Sequence, residues 1–278
     1  MIIENNEIKY KGKRVFEKLV MKNNIKRFPK YFSDDEACFL FLNSGSFQFR
    51  TPTNVTTYYK NEALLAKCGN YFIEQIPGNV QEDEISLIGV FFYPDVVKGL
   101  FGTDLSIEHF KNDFDVVKVD VEPLMKLFID SLDFLFEHPK VVDENIINNK
   151  LKELLIILSK SENAQSINSF VSSLFVAHEY SFKEIIQNNL YSNLSIKEFA
   201  KLCNCSTATF KRKFQEIYQE SPAKYFSIKK LEKASQLLHI KSKSIADIAF
   251  DCGFETVSNF NRAFKSHFGK TPSQFRLS

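Results

Sequence analysis

Residues 195–226, SIKEFAKLCNCSTATFKRKFQEIYQESPAKYF, and residues 244–275, SIADIAFDCGFETVSNFNRAFKSHFGKTPSQF, are two diverged copies of one pattern. Ser195 and Ser244, Ile196 and Ile245, Ala200 and Ala249, and Cys203 and Cys252 match at an offset of 49. Phe210 and Phe260, Arg212 and Arg262, Phe214 and Phe264, Tyr218 and Phe268, and Pro222 and Pro272 match at 50. A single step inside a constant offset is the mark of a duplicated unit whose turn has gained one residue. The unit reads as a helix-turn-helix, and two in tandem can address two successive major-groove faces of DNA.

In such a unit the second helix lies in the groove with its N-terminal residues at base edges. That helix is expected over about Ser206–Tyr218 in the first copy and about Thr256–His267 in the second. Phe210 with Phe214, and Phe260 with Phe264, are i, i+4 pairs that must face the core. Ala208, Lys211 and Arg212 then face the groove, with Ser206 and Thr207 near phosphate. In the second copy Thr256 opens the helix, and Val257, Ser258, Asn261 and Arg262 face outward. Arg212 and Arg262 occupy one equivalent place. An arginine there either pairs bidentately with guanine O6 and N7, clamps a phosphate or stays solvated. Ser195 and Ser244 are expected as N-caps, and Thr271-Pro272 opens a last short helix. Pro222–Leu238 reads as one connecting helix with proline in its first turn. At 1.5 Å per residue it makes a rod of about 25 Å. Such a rod can hold the two reading helices on one face of the duplex, roughly 34 Å apart.

Charge follows the same division. Residues 181–278 carry 16 Lys+Arg against 8 Asp+Glu, while the other 180 residues carry 20 against 26. A basic third on an acidic body suggests that this third alone meets a polyanion. The five cysteines, Cys38, Cys68, Cys203, Cys205 and Cys252, are odd in number and no secretory leader pattern is present. A reducing, cytoplasmic setting is expected. Cys203-Asn204-Cys205 has the wrong spacing for a zinc knuckle, so Cys203 and Cys252 read as small core residues at equivalent positions. No run approaches the roughly 18 apolar residues of a membrane span.

Ahead of the repeat, residues 1 to about 118 read as mostly β. Ala37–Leu42 is an apolar run that meets the turn signal Asn43-Ser44-Gly45-Ser46, after which Phe47-Gln48-Phe49-Arg50 alternates with period two. Val15–Met21, Val55–Tyr59, Leu64–Ala66 and Ile85–Phe92 are further strand candidates, with turns at Gly69-Asn70 and Pro77-Gly78. Short strands at this spacing favour a small barrel or sandwich over a half-helical α+β domain. Phe39, Phe41, Phe47, Phe49, Tyr58, Tyr59 and Phe72 either line an apolar pocket or, the better expectation, pack the core. From Val121 the period becomes helical. Leu124, Leu127, Phe128, Ser131, Leu132 and Leu135 mark one helix closed by His138-Pro139, Ile146–Leu158 a second, and Ile167–Phe175 a third. The stripe Leu151, Leu154, Leu155 and Leu158 is the candidate seam of a homodimer; burial within one subunit explains it equally well. The expected fold is thus α+β, with a β-barrel over about 1–118 and helices over about 119–178 forming a first domain, 1–178. An all-α tandem helix-turn-helix domain, 179–278, follows.

With these residues in place, the C-terminal segment resembles the DNA-binding domain of AraC-type transcription regulators. The likeness rests on Ala200, Ser206 and Phe210, Ser221-Pro222, Leu231, Ala234 and Leu237-Leu238, and then Ile245-Ala246-Asp247-Ile248-Ala249. It continues through Gly253-Phe254, Phe260, Phe264-Lys265, Phe268-Gly269 and Thr271-Pro272. Two departures are Gln219, where the family usually closes the first reading helix with glycine, and Lys230, where the linker helix often has arginine. Gln219 forfeits the easy left-handed cap, so a looser end is expected there. The resemblance implies a cupin-like N-terminal sensor that often dimerises, and it favours an activator that touches RNA polymerase. Lys150–Ile167 is similar to the branch of the type III secretion activators, in which a protein partner can replace a small-molecule effector.

Other function classes find little support. A metal-dependent cupin enzyme needs clustered imidazoles, but the five histidines are His109, His138, His178, His239 and His267, none within residues 1–108. A Gly-x-Ser-x-Gly elbow and glycine-rich phosphate loops are absent. No catalytic residue, cofactor or metal is therefore expected. An architectural binder of double-stranded DNA, with an N-terminal domain serving only association, is the alternative. It leaves 180 residues of patterned acidic sequence with little to do.

Overall fold

Lys11 and Gly12 both have positive φ (50° and 77°) and fold the first two strands into a hairpin, β1 (Ile2–Tyr10) and β2 (Lys13–Lys22). The computed structural model describes residues 2–22, 27–31, 36–67, 69–76, 84–101, 115–161, 171, 173–175, 180–240 and 242–277. They divide into two units, Met1–Glu179 and Tyr180–Ser278.

In the first unit the strands β3 (Arg27–Tyr31), β4 (Ala37–Ser44), β5 (Ser46–Arg50), β6 (Val55–Tyr59), β7 (Ala63–Ala66), β8 (Asn70–Glu74), β9 (Glu84–Phe92) and β10 (Val116–Val119) follow. They form two antiparallel sheets, ordered β1-β2-β9-β4-β7-β10 and β3-β8-β5-β6. The architecture is α+β and consistent with a cupin-like fold. Among the described residues the hydrogen-bonded strands lie in two sheets and do not close into one continuous barrel. The Asn43–Ser46 turn is where the chain leaves one sheet for the other. Gly45 takes φ +86° there, and a Cβ would lie 2.9 Å from the Glu84 carbonyl oxygen. β4 and β9 sit in the middle of the larger sheet and are buried on both faces, which is why they read as apolar runs and not as alternations. Phe47 stacks on Tyr58 at 5.6 Å and Phe49 meets Tyr71 at 5.2 Å. Of the aromatic set only Tyr59 is exposed, so the rest is core.

Two helical features differ from expectation. Pro94–Phe101 is a helix, α1, inside the segment read as β; it buries Val96, Val97 and Leu100. In α2 (Pro123–Glu137) the buried face is Met125, Phe128, Ile129, Leu132 and Leu135, while Leu124, Leu127 and Phe134 are exposed. The helix is thus rotated from the expected stripe. Its polar residues explain this: Lys18 of β2 binds Asp133 at 2.6 Å, and Lys126 lies over the Phe41 ring of β4. In α3 (Glu144–Ser161) the candidate dimer seam, Leu151, Leu154, Leu155 and Leu158, is buried within the unit's own core, none more than 1% exposed. That stripe is intrasubunit packing. Most of the third expected helix and the Pro77-Gly78 turn lie outside the described residues, although Val171, Ser173 and Leu174 are helical.

The second unit is all helical: α4 (Phe182–Asn188), α5 (Ile196–Leu202), α6 (Thr207–Tyr218), α7 (Pro222–Leu238), α8 (Ile245–Asp251), α9 (Val257–Phe268) and α10 (Pro272–Arg276). Among the described residues no helix is long and apolar enough to cross a membrane.

Candidate nucleic-acid interface

The duplication is visible bond by bond. Ser195 and Ser244 cap α5 and α8 by accepting the backbone N–H of Glu198 and Asp247. Both helices end in the same turn. In the first, Asn204 N–H donates to the Lys201 carbonyl and Cys205 N–H to the Ala200 carbonyl. In the second, Gly253 N–H donates to Phe250 and Phe254 N–H to Ala249. This is the paired closure that needs a left-handed residue, supplied by Asn204 (φ 48°) and Gly253 (φ 76°). Ser206 and Thr256 then cap α6 and α9 by accepting from Thr209 and Asn259.

An equivalent aromatic network holds each reading helix. Phe210 and Phe214 are fully buried with centroids 5.7 Å apart, as are Phe260 and Phe264 at 5.5 Å. Phe214 packs on Tyr218 at 4.5 Å and edge-on to Tyr225 at 5.4 Å; Phe264 packs on Phe268 at 4.5 Å and edge-on to Phe275 at 5.3 Å. The offset of 50 in sequence is therefore an offset of 50 in packing. The left-handed end of α6 also survives without glycine. Gln219 adopts φ 56°, its N–H donates to Gln215, and its side-chain amide donates to the Glu216 carbonyl at 2.9 Å. The first reading helix thus ends left-handed on a glutamine, whose side chain also satisfies a terminal carbonyl.

With the phenylalanines turned inward, Ala208, Lys211 and Arg212 of α6 and Ser258, Asn261 and Arg262 of α9 are all exposed on one side of their helices. Arg212 is held only loosely, 3.9 Å from Glu216, whereas Arg262 donates to Asn259 Oδ1 at 2.8 Å and is braced along its helix. Ser206 and Thr256 are exposed and serve as caps, while Thr207 is half-buried. Val257 differs from expectation: it is half-buried and packs against the second unit's core, because its branched side chain sits one position before the outward face begins. The same helical period adds Gln215 and Lys265, exposed members of each face that went unread. Asn259 was also missed; its link to Arg262 is an i, i+3 spacing that sequence alone permits.

Burial pushes the thiols up, to about 12 at Cys203 and about 11 at Cys252, so both remain protonated small apolar groups at neutral pH. Cys252 is fully buried and Cys203 half-buried. Among the described residues, no group of three or more His, Cys, Asp or Glu side chains is gathered to hold a metal ion.

Two matched helix-turn-helix units thus stand on one basic segment, each presenting an exposed polar helix face. A helix-turn-helix domain model matches residues 199–278, and the ExsA N-terminal regulatory domain matches residues 37–170. The chain thus carries an AraC-type helix-turn-helix domain and an N-terminal regulatory domain of the ExsA type.

Among its relatives, the virulence regulon transcriptional activator VirF of Yersinia enterocolitica is 29% identical over 161 residues, 57% of this chain and 58% of that one. The regulator ExsA of Pseudomonas aeruginosa is 28% identical over 127 residues, 46% of each chain. The match thus spans about half the length of the curated relatives. A solved structure of an apo ToxT variant from Vibrio cholerae aligns with 95% of this chain and 97% of that one, at 16% identity and a TM-score of 0.38.

Proposed function

We propose that this protein is a sequence-specific transcription activator that acts in the cytoplasm, with α6 and α9 entering successive major grooves of double-stranded DNA. The observation that carries this is the pair of equivalent exposed faces, Ala208, Lys211, Arg212, Gln215 and Ser258, Asn261, Arg262, Lys265, each set on the same buried phenylalanine pair. Arg212 and Arg262 read guanine edges, and the neighbouring lysines and the helix starts at Ser206, Thr207 and Thr256 meet phosphate. The chain carries no catalytic role. Its N-terminal unit receives the effector, a small molecule or a protein, which binds one arrangement of the protein better than another. RNA polymerase is the partner of the activated state.

The segment 180–278 is expected to bind DNA as a monomer, because it carries both reading helices. Raising salt from about 50 to about 200 mM should weaken that binding by roughly a thousandfold, as neutralised phosphates release counterions. A salt-independent association in gel shifts, or none to any DNA pool, would remove the proposal.

Self-association of the N-terminal unit runs through the outward face of α2. Leu124, Leu127 and Phe134 are each more than half exposed, and they recur at helical spacing on a helix whose other face is already packed. Replacing Leu127 and Phe134 together with lysine should turn a dimer into a folded monomer in sedimentation experiments. A variant that still dimerises would place the seam elsewhere.

A further inference from the structure

The two helix-turn-helix turns share a backbone but not their surroundings. Asn204, in the first, is exposed and keeps its side chain in solvent. Gly253, in the second, is buried, and a Cβ there would lie 2.2 Å from the backbone oxygen of Tyr191, 3.1 Å from Lys230 Nζ. Tyr191 lies between α4 and α5, ahead of the first unit's helices. The lead-in of the first unit therefore sits directly on the turn of the second.

Two lysines one turn apart on α7 complete this contact. Lys230 Nζ donates to the Gly253 carbonyl at 2.8 Å. Lys233 Nζ donates to the Asp251 carbonyl at 3.1 Å and lies 3.9 Å from the centre of the Tyr191 ring. Both ammonium groups thus meet the carbonyl-rich end of α8, where the helix dipole favours a cation. Burial lowers the Lys230 pKa from its usual value. A partly desolvated ammonium with a carbonyl acceptor is a specific contact, unlike a solvated lysine.

α7 by itself fixes how far apart the two units lie, since Phe226 near its start belongs to the first aromatic cluster and Leu231, Ala234 and Leu238 to the second core. A helix does not by itself fix how the second unit is swung about it. We propose that the junction of Tyr191, Lys230, Lys233 and Gly253 sets that swing, making Lys230 a positioning residue that imposes one spacing between the two DNA boxes. This rests on the proposed two-groove reading and adds where its spacing selectivity resides.

The test uses the full chain and duplexes recovered by selection from a random pool, with native spacing and with one base pair inserted between the boxes. The insertion shifts one box by about 3.4 Å and rotates it by about 35°. A rigid pair of readers should lose roughly tenfold or more in affinity, and a loosely joined pair much less. Lys230→Met is expected to weaken binding at native spacing and to shrink the insertion penalty to about twofold. Lys230→Arg, which keeps a donor for the Gly253 carbonyl, should restore the penalty. Lys233→Met, on the exposed side, should give the same change at smaller size and serves if Lys230→Met does not fold. An undiminished penalty in a folded variant, with all probes weakened alike, overturns the proposal. A wild-type chain that shows no insertion penalty would instead refute the two-groove reading beneath it.

Discussion

Leu155→Asp is expected to unfold the N-terminal unit and leave residues 180–278 folded and able to bind DNA. Leu155 is fully buried in α3 beside Leu151, Leu154 and Leu158, inside one core that also holds the strands of the larger sheet. Removing a buried leucine side chain costs about 2–5 kcal/mol. The carboxylate that replaces it has no partner in that core, which adds several kcal/mol more. Against a total stability of about 5–15 kcal/mol for a domain, that loss is decisive. The two units divide at Glu179 and Tyr180, so calorimetry should show one transition lost and one kept. A folded monomer with both transitions would mean that the stripe is a subunit seam.

The second large effect concerns recognition. Arg212→Ala and Arg262→Ala are each expected to cost about 1–3 kcal/mol at the preferred site and to relax preference at one or two base pairs. The two residues stand on separate helices joined by α7, so their effects should add, and the double variant should lose about thirtyfold to about twenty-thousandfold in affinity. The losses should differ. Arg262, braced by Asn259, is already ordered along its helix, while Arg212 must be ordered on binding, at a cost in side-chain entropy. Competition titrations against single-base variants of the site separate the two roles. Equal loss on every sequence would make these arginines phosphate clamps.

The helix-turn-helix half was legible because its signals are local: a cap, a helical period, a proline at a helix start. The connecting helix at Pro222–Leu238 and the caps at Ser195, Ser244 and Thr271 follow from such signals alone. In the N-terminal half, β4 was legible from an apolar run, β5 from its period-two alternation, and β2, β6, β7 and β9 from runs of strand-favouring residues. β1 was not. It is an exposed edge strand, IIENNEIKY, with no apolar alternation, held by its pairing to β2 and guarded by Glu4, Glu7 and Lys9. The rotation of α2 was hidden for a related reason. Its sequence offers apolar residues nearly all round, and its polar residues find distant partners, Asp133 in Lys18 and Lys126 in the face of the Phe41 ring, that select the face that is buried. In the reading helices the inward phenylalanines define the outward face, and Val257, three residues before Phe260 and seven before Phe264, falls on their side of the helix and packs against the second core.

The central claim, that one chain reads DNA through two equivalent helices, is tested most directly by selecting duplexes from a random pool with the full-length protein and mapping the recovered motif. The account predicts two short boxes about one helical turn apart, roughly 10 base pairs. Arg212→Ala should degrade one box and Arg262→Ala the other. Recovery of a single box insensitive to one of the arginines, or of no motif at all, would contradict it.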